Sequence, residues 1–179
     1  MSDKFDMLLL QYPSLTTEVR RGAGVAQFAR FDAELARCFA SHAYVIPFIN
    51  AENCLVTRRH NGQWTLPGGT LEVGEDWLTA LHRELWEETG AQIVALQPIG
   101  LYDYLSAAAA PPRPYLPHPR SVRVVCWANV TLADNRPAPS LGDGIDQVQI
   151  MHYQAAAQLF GLEYQDFAAL YQLAQAMGS

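Results

Sequence analysis

The chain has 179 residues and a net charge of −6, and half of its residues are apolar. This composition is typical of a globular domain that builds its core without disulfides. No run of Lys or Arg exceeds two residues, the three cysteines are far apart without a C-x-x-C pair, and no apolar run approaches a membrane span. These features argue against a surface for long nucleic acid, a zinc ribbon and a membrane segment, so we expect a cytoplasmic protein.

Residues 1–42 are predicted to form a helical N-terminal extension, and residues 43–179 are predicted to form the main domain. In the segment VAQFARFDAELARCF, apolar side chains recur near helical spacing at Val25, Phe28, Leu35 and Phe39. We expect an amphipathic helix that packs on the domain or on a second copy of the chain. A homodimer through this extension is therefore one option for the oligomeric state.

The first part of the main domain is predicted to be a hairpin followed by a helix. The strand-like runs AYVIPFI and CLVTRR are joined by NAEN, and a short run, WTL, ends at Pro67. A helix is then predicted from about Glu75 to Thr89. Gly90 ends it, because glycine favours the left-handed conformation of a helix C-cap.

The second part alternates strands and helices. We predict an extended segment to about Tyr104, a proline-rich loop (SAAAAPPRPYLPHPR), a strand (SVRVVCWANVTL), a second strand (IDQVQIM) and two helices (AAAQLF and YQDFAALYQLAQAM). Strands mixed with few helices in this order predict an α/β fold with a mixed β-sheet sandwiched between α-helices.

Three glutamates, Glu84, Glu87 and Glu88, occupy one turn of the predicted helix. With 3.6 residues per turn they fall within about 100° of arc. The adjacent arc is apolar and is expected to anchor the helix on the sheet through Leu78, Leu81 and Leu85. The carboxylates are therefore predicted at the edge of a buried face, where like charges repel one another.

This acidic turn has two interpretations. One is a solvated acidic helix face. The other is a site for Mg²⁺ or Mn²⁺, which prefer hard carboxylate oxygens and often keep water that a phosphate can displace. The preceding Leu-Pro-Gly-Gly adds a backbone bend in which a glycine can approach an ion and present its carbonyl.

The segment GTLEVGEDWLTALHRELWEETGA, from Gly69 to Ala91, resembles the Nudix box of the Nudix hydrolases at every defined position. Gly69 is followed after five residues by Glu75 and after seven more by Arg83-Glu84-Leu85-Trp86-Glu87-Glu88-Thr89-Gly90-Ala91. The resemblance covers about twenty-three residues. It is specific for the family and its fold but carries little information about the substrate.

The resemblance implies metal-dependent hydrolysis of a nucleoside diphosphate linked to another group, with Mg²⁺ as the cofactor and Mn²⁺ as its substitute. The metal ligands that it implies are the Gly69 carbonyl, Glu84, Glu87 and Glu88. Glu84 is either a ligand or the general base. Arg83 is implied to orient a carboxylate through a two-point contact, and Glu75 to support the site.

Some members of the family take their general base from a loop outside the box. The nearest candidates here are Asp143 and Asp146, in LGDGIDQ. Ordinary turn chemistry is the alternative for both, because Asp beside Gly is a standard turn signal.

The proline-rich loop offers candidate substrate contacts at Arg113, Tyr115, His118 and Arg120. These residue types can bind phosphate and stack on a base, and solvated loop residues are the alternative. The loop partly resembles the proline-rich signature of the NADH pyrophosphatase branch. It departs from that signature in having His118 as the aromatic residue between the prolines, in its upstream residues and in lying further from the box, so the substrate stays open.

The leading hypothesis is a magnesium-dependent Nudix pyrophosphohydrolase acting on a small nucleotide, with neither long nucleic acid nor a membrane as partner. A catalytically silent nucleotide-sensing module is the alternative. Members of that kind usually lose glutamates of the box, and this chain keeps all of them. Decapping of messenger RNA would need a basic track that this acidic chain lacks.

Overall fold

The computed structural model describes residues 2–133, 144–161 and 164–178. In chain order its elements are α1 (Ser2–Leu9), α2 (Pro13–Thr16), β1 (Val19–Arg21), β2 (Gly24–Ala29), α3 (Ala33–Phe39), β3 (Ala40–Phe48), β4 (Asn53–Arg59), β5 (Trp64–Thr65), β6 (Gly68–Thr70), α4 (Trp77–Thr89), β7 (Ala91–Ser106), β8 (Arg120–Leu132), β9 (Ile145–His152), α5 (Tyr153–Leu159) and α6 (Gln165–Gly178).

The strands within the described ranges form one mixed sheet. Its order is β1-β2-β7-β8-β3-β4-β5, with β6 paired to β3 and β9 paired to β4. β3 and β8 run parallel. One buried cluster contains residues of α3 and α4, and a second contains residues of α2, α5 and α6. The predicted mixed sheet between helices is thus confirmed. None of the helices in these ranges is long and apolar enough to cross a membrane.

The predicted helix over residues 25–39 is wrong in its first half. Residues Gly24–Ala29 form β2, which pairs with β1 and β7, and only Ala33–Phe39 is helical. Ala26 and Phe28 are buried while Gln27 between them is exposed, a period of two that a strand satisfies and a helix does not. The domain boundary at residue 42 and the homodimer stay predictions.

The helix α4 begins two residues later than expected. Asp76 is its N-cap and accepts a hydrogen bond from the Thr79 N–H at 2.7 Å, so Glu75 precedes the helix. Gly90 ends it with a φ of 66°, in the predicted left-handed conformation. The expectation for Leu78 is wrong, because it is 40% exposed.

The cysteines Cys54 and Cys126 are both fully buried. They lie on opposite faces of the sheet, one in each apolar cluster. Burial raises the pKa of the Cys54 thiol to about 12. A thiol with so high a pKa stays protonated and unreactive near neutral pH.

Candidate active site

The turn that leads into β6 brings the backbone unusually close to α4. β6 pairs antiparallel with β3, so that Gly69 lies opposite Ala43. Gly68 has a φ of +131°, and a Cβ there would overlap the Ala43 carbonyl. A Cβ on Gly69 would overlap the carboxylate of Glu84. Glycine is therefore required at Gly68 for β6 to fit beside β3, whereas a side chain at residue 69 would displace the Glu84 carboxylate.

Two of the three carboxylates of the acidic turn lie on the buried face of α4. Glu84 is 8% exposed and Glu88 is 5% exposed, deeper than the predicted edge position. Oε2 of Glu88 accepts a hydrogen bond from the Gly68 N–H at 2.9 Å. Carboxylates are seldom buried this far without partners, because removing the charge from water is costly.

Arg83 supplies the positive charge at the centre of this cluster. It binds Glu75 through two parallel hydrogen bonds, Nε to Oε1 and Nη2 to Oε2, both of 2.9 Å. Its Nη1 lies 3.0 Å from Oε1 of Glu84 and 3.1 Å from Oε2 of Glu87. Nη2 also donates to the Thr70 carbonyl at 3.3 Å. The predicted two-point contact of Arg83 is present, and its partner is Glu75.

This network changes the acidity of its members. The hydrogen bonds from Arg83 lower the pKa of the Glu75 carboxyl, and a further bond from the Glu72 N–H acts in the same direction. The hydrogen bonds to Glu75 raise the pKa of the Arg83 guanidinium. Both groups are therefore charged at neutral pH, which fixes the shape of the cluster.

The carboxylates open onto a cleft with an empty volume of about 960 Å³, called here the acidic cleft. The backbone of β6 and the acidic turn line it, and Arg59 and Arg113 face it as well. Nη1 of Arg113 donates to the Tyr115 hydroxyl at 2.8 Å, and that hydroxyl donates to the Leu71 carbonyl at 3.2 Å. These two bonds dock the proline-rich loop against the cleft.

The residues of the acidic cleft suit a hard divalent cation by their chemistry. Within the described part of the chain, no three His, Cys, Asp or Glu side chains converge as a ready metal site. The donors present are carboxylate oxygens and the β6 backbone, which Mg²⁺ and Mn²⁺ prefer. The missing side chain of Gly69 leaves the Glu84 carboxylate directly against that backbone. The donor set thus fits such an ion.

Three of the other predicted site residues lie away from the acidic cleft. Asp146 forms an ion pair with Arg58, with distances of 3.2 and 3.4 Å. Arg120 pairs with Asp103 through two hydrogen bonds of 2.9 and 2.7 Å. His118 contacts the Ala108 carbonyl at 3.0 Å. Asp143 lies outside the described residues.

A second cavity, called here the loop pocket, lies beneath the proline-rich loop and has an empty volume of about 750 Å³. The loop contributes Leu116 and His118, and the strands contribute His42, Tyr104 and Arg123. Sequence reasoning did not single out His42 or Arg123. A signal was present, because both interrupt otherwise apolar strand runs.

A model of the NUDIX domain matches residues 39–173. The chain belongs to the Nudix hydrolase family. Family membership agrees with the box from Gly69 to Ala91 and with the position of that box between β6 and the end of α4.

Similar proteins agree with this assignment. A MutT-like protein of Streptomyces ambofaciens is 45% identical over 47 residues, which are 26% of this chain and 30% of that protein. This match therefore spans less than two thirds of the relative's length.

Solved structures share the Nudix fold at low identity. A pyrophosphohydrolase of Bacillus subtilis has a TM-score of 0.65 at 18% identity and covers 90% of this chain and 96% of its own. A NUDIX hydrolase from Nitrosomonas europaea has a TM-score of 0.57 at 16% identity, covering 78% and 90%. At these identities the likeness concerns the fold alone.

Proposed function

We propose that this Nudix protein is a metal-dependent pyrophosphohydrolase that cleaves a diphosphate linkage in a small nucleotide by attack of water on phosphorus. The observation that carries the proposal is the burial of Glu84 and Glu88 against the Gly68-Gly69 backbone. Buried carboxylates held at a glycine turn are costly for folding alone. A role in binding a cation accounts for their retention.

The groups that would hold the ion are the Gly69 carbonyl, Glu84, Glu87 and Glu88. When bound, Mg²⁺ or Mn²⁺ neutralises the diphosphate and lowers the pKa of bound water. The chain itself supplies the positioning of these groups. Arg83 holds Glu75 at two points and reaches Glu84 and Glu87 with its remaining nitrogen.

Glu84 is proposed either as a ligand or as the general base. The alternative base Asp146 is less well supported, because its carboxylate is engaged by Arg58 outside the acidic cleft. Arg59 and Arg113 both line the cleft and present positive charge to an incoming phosphate. Arg113 is oriented for that task by Tyr115.

The test is a substrate panel with product identification. Nucleoside triphosphates, dinucleotides and nucleotide sugars are incubated with the purified protein in Mg²⁺ and in Mn²⁺, and the phosphate-containing products are identified. We expect cleavage at a phosphoanhydride bond for at least one class and none without the metal. Thermal stabilisation by nucleotides without product release in either metal would instead support a nucleotide-sensing module.

A further inference from the structure

A cavity near the carboxyl end of β3, called here the distal pocket, is separate from the acidic cleft and has an empty volume of about 420 Å³. Phe48, which lines it, is five residues further along β3 than Ala43, the partner of Gly69. At the rise of a strand this separation is about 17 Å. The distal pocket also lies on the other face of the sheet, because Phe48 and Trp127 pack with α6, whereas Leu81 of α4 belongs to the other buried cluster.

The lining of the distal pocket is uncharged. Its polar groups are the carboxamides of Asn50, Asn129 and Gln175, and its largest ring is the half-buried indole of Trp127. Within the part of the chain that the structure describes, no charged side chain lines it. A phosphate or a carboxylate would be taken from water there without a cation as its partner, which is costly. The distal pocket therefore suits a neutral ligand, and its volume suits a small ring compound.

Asn129 is an unusual residue for its place in the sheet. It interrupts an otherwise apolar run of β8, and Asn is depleted from strands. The backbone is paired on both sides at this point, with Phe48 of β3 and Ala95 of β7. Among the described residues, the half-buried carboxamide of Asn129 has no hydrogen-bond partner. A residue that departs from the local pattern without a gain for the fold is expected at a functional site.

Asn50 adds a donor at the rim of the distal pocket. Its Oδ1 accepts hydrogen bonds from the Glu52 N–H at 3.1 Å and from the Asn53 N–H at 2.8 Å, as in an Asx turn. These bonds fix the orientation of the carboxamide. Its Nδ2 amino group donates to no other residue in the described ranges. A ligand in the pocket can therefore use both of its hydrogens.

The exposed groups of the distal pocket match the edge and the ring of a nucleobase. A carboxamide presents a carbonyl oxygen beside an amino group, and Asn pairs with the edge of a base through two parallel hydrogen bonds. Bases also stack on aromatic side chains. Trp127 and Asn129 are two residues apart in β8 and so lie on the same face of the sheet.

We propose that the distal pocket binds an uncharged nucleobase, free or in a nucleoside, with Asn129 paired to its edge and Trp127 against its ring. Asn50 donates from the rim. The bound molecule is a second ligand and not the one that is cleaved, because the pocket lies about 17 Å along β3 from the acidic cleft and on the other face of the sheet. The inference is independent of the proposed function.

The experiment titrates the protein with uridine, cytidine, adenosine and inosine, which carry no phosphate for the acidic cleft. The readout is the indole N–H resonance of Trp127 in NMR spectra, assigned by its absence in Trp127→Phe. We expect at least one nucleoside to shift this resonance to saturation. In Asn129→Leu the affinity should fall by about 10- to 100-fold, the effect of losing one two-point contact with a base. No shift of this resonance with any of the nucleosides would overturn the inference.

Matched variants separate binding from folding. Thr131→Val, at an exposed position two residues further along β8, is the control and should leave the affinity unchanged. Asn129→Asp keeps the shape of the side chain but removes its donor hydrogens, so it keeps the inference testable if Asn129→Leu does not fold. Unchanged affinity in either folded variant of Asn129 would overturn the inference.

Two further measurements locate the ligand and identify the part of it that is recognised. We expect nuclear Overhauser contacts between the base protons and the Trp127 indole. Contacts with the ring of Tyr104, which lines the loop pocket, without contacts to Trp127 would place the nucleoside in the loop pocket and overturn the inference. Ribose alone should not shift the Trp127 resonance, and a shift equal to that of the nucleoside would assign the distal pocket to sugars and overturn it.

Discussion

The acidic cleft and the loop pocket lie side by side but are built in opposite ways. The cleft draws its carboxylates and Arg83 from a short segment of chain, and Arg83 satisfies several of those carboxylates at once. The pocket collects its lining from β3, β7, β8 and the proline-rich loop, and its Arg123 has a buried donor with no acceptor among the described residues. A short sequence segment thus supplies the charged groups of the acidic cleft, whereas the loop pocket is assembled by tertiary structure from segments far apart in the sequence.

The largest expected effect is on turnover, and it comes from Glu88, a carboxylate of the acidic cleft. Glu88→Gln should lower turnover by about 10³-fold, because a metal ion contributes several kcal/mol of charge stabilisation and each 1.36 kcal/mol is tenfold. The amide oxygen of Gln still accepts from the Gly68 N–H, so the free energy of unfolding should change by less than about 1 kcal/mol. Steady-state kinetics and urea unfolding check both, with the exposed Glu18→Gln as the control. Unimpaired turnover in a folded Glu88→Gln protein would remove the metal assignment.

Arg83→Met tests whether the guanidinium of Arg83 holds the carboxylates of the acidic cleft together. The substitution leaves Glu75, Glu84 and Glu87 without that partner, and we expect a loss of about 2–3 kcal/mol in the free energy of unfolding. Mg²⁺ should raise the unfolding midpoint more in this variant than in the unmodified protein, because the carboxylates gain a replacement cation. Equal shifts with Mg²⁺ would contradict the assignment of these carboxylates to a cation site.

Gly69→Ala tests the close approach between β6 and α4. The added Cβ would overlap the Glu84 carboxylate, so we expect a loss of about 1–3 kcal/mol in stability and reduced turnover. Gly161→Ala is a matched control, because a Cβ there meets no atom within 4 Å. Similar behaviour of the two variants in unfolding and kinetics would show that the contact between Gly69 and Glu84 is not needed.

The smallest effect concerns the neutral histidine of the loop pocket. Because burial lowers the pKa of His42 from 6.5 to about 3, the unfolded chain binds a proton between these values that the folded chain does not. Stability should therefore fall as the pH drops below about 6.5, by up to about 1.4 kcal/mol per pH unit. His42→Gln cannot titrate and should show a shallower slope. Urea unfolding at pH 7, 6 and 5 measures the slopes, and identical slopes would show that His42 does not remain neutral.

The contrast between the two cavities also explains what the sequence could predict. The spacing from Gly69 to Ala91 sufficed to predict the family, the order of strands and helices to predict the sheet between helices, and the C-cap preference of glycine to predict the end of α4 at Gly90. The sequence did not predict how deeply Glu84 and Glu88 are buried, because their burial depends on the rotation of α4 about its own axis relative to the sheet. β2 was read as helix because Val25 and Phe28 are three residues apart, which also fits a helical stripe.

The loop pocket was harder to predict. His42 and Arg123 come from distant strands, and only the parallel pairing of β3 with β8 places them opposite each other. The role proposed for Asp146 could not be judged from the sequence either, because its partner Arg58 is 88 residues away. Contacts between residues so far apart in the sequence produce no periodic residue pattern in either segment.

The most direct test of the metal-dependent account is anomalous diffraction. Crystals are soaked in Mn²⁺ together with a non-hydrolysable nucleotide, and anomalous difference density is calculated for the acidic cleft. We predict a peak beside the Gly69 carbonyl and the carboxylates of Glu84, Glu87 and Glu88. A bound nucleotide with no anomalous density beside these groups would contradict the account.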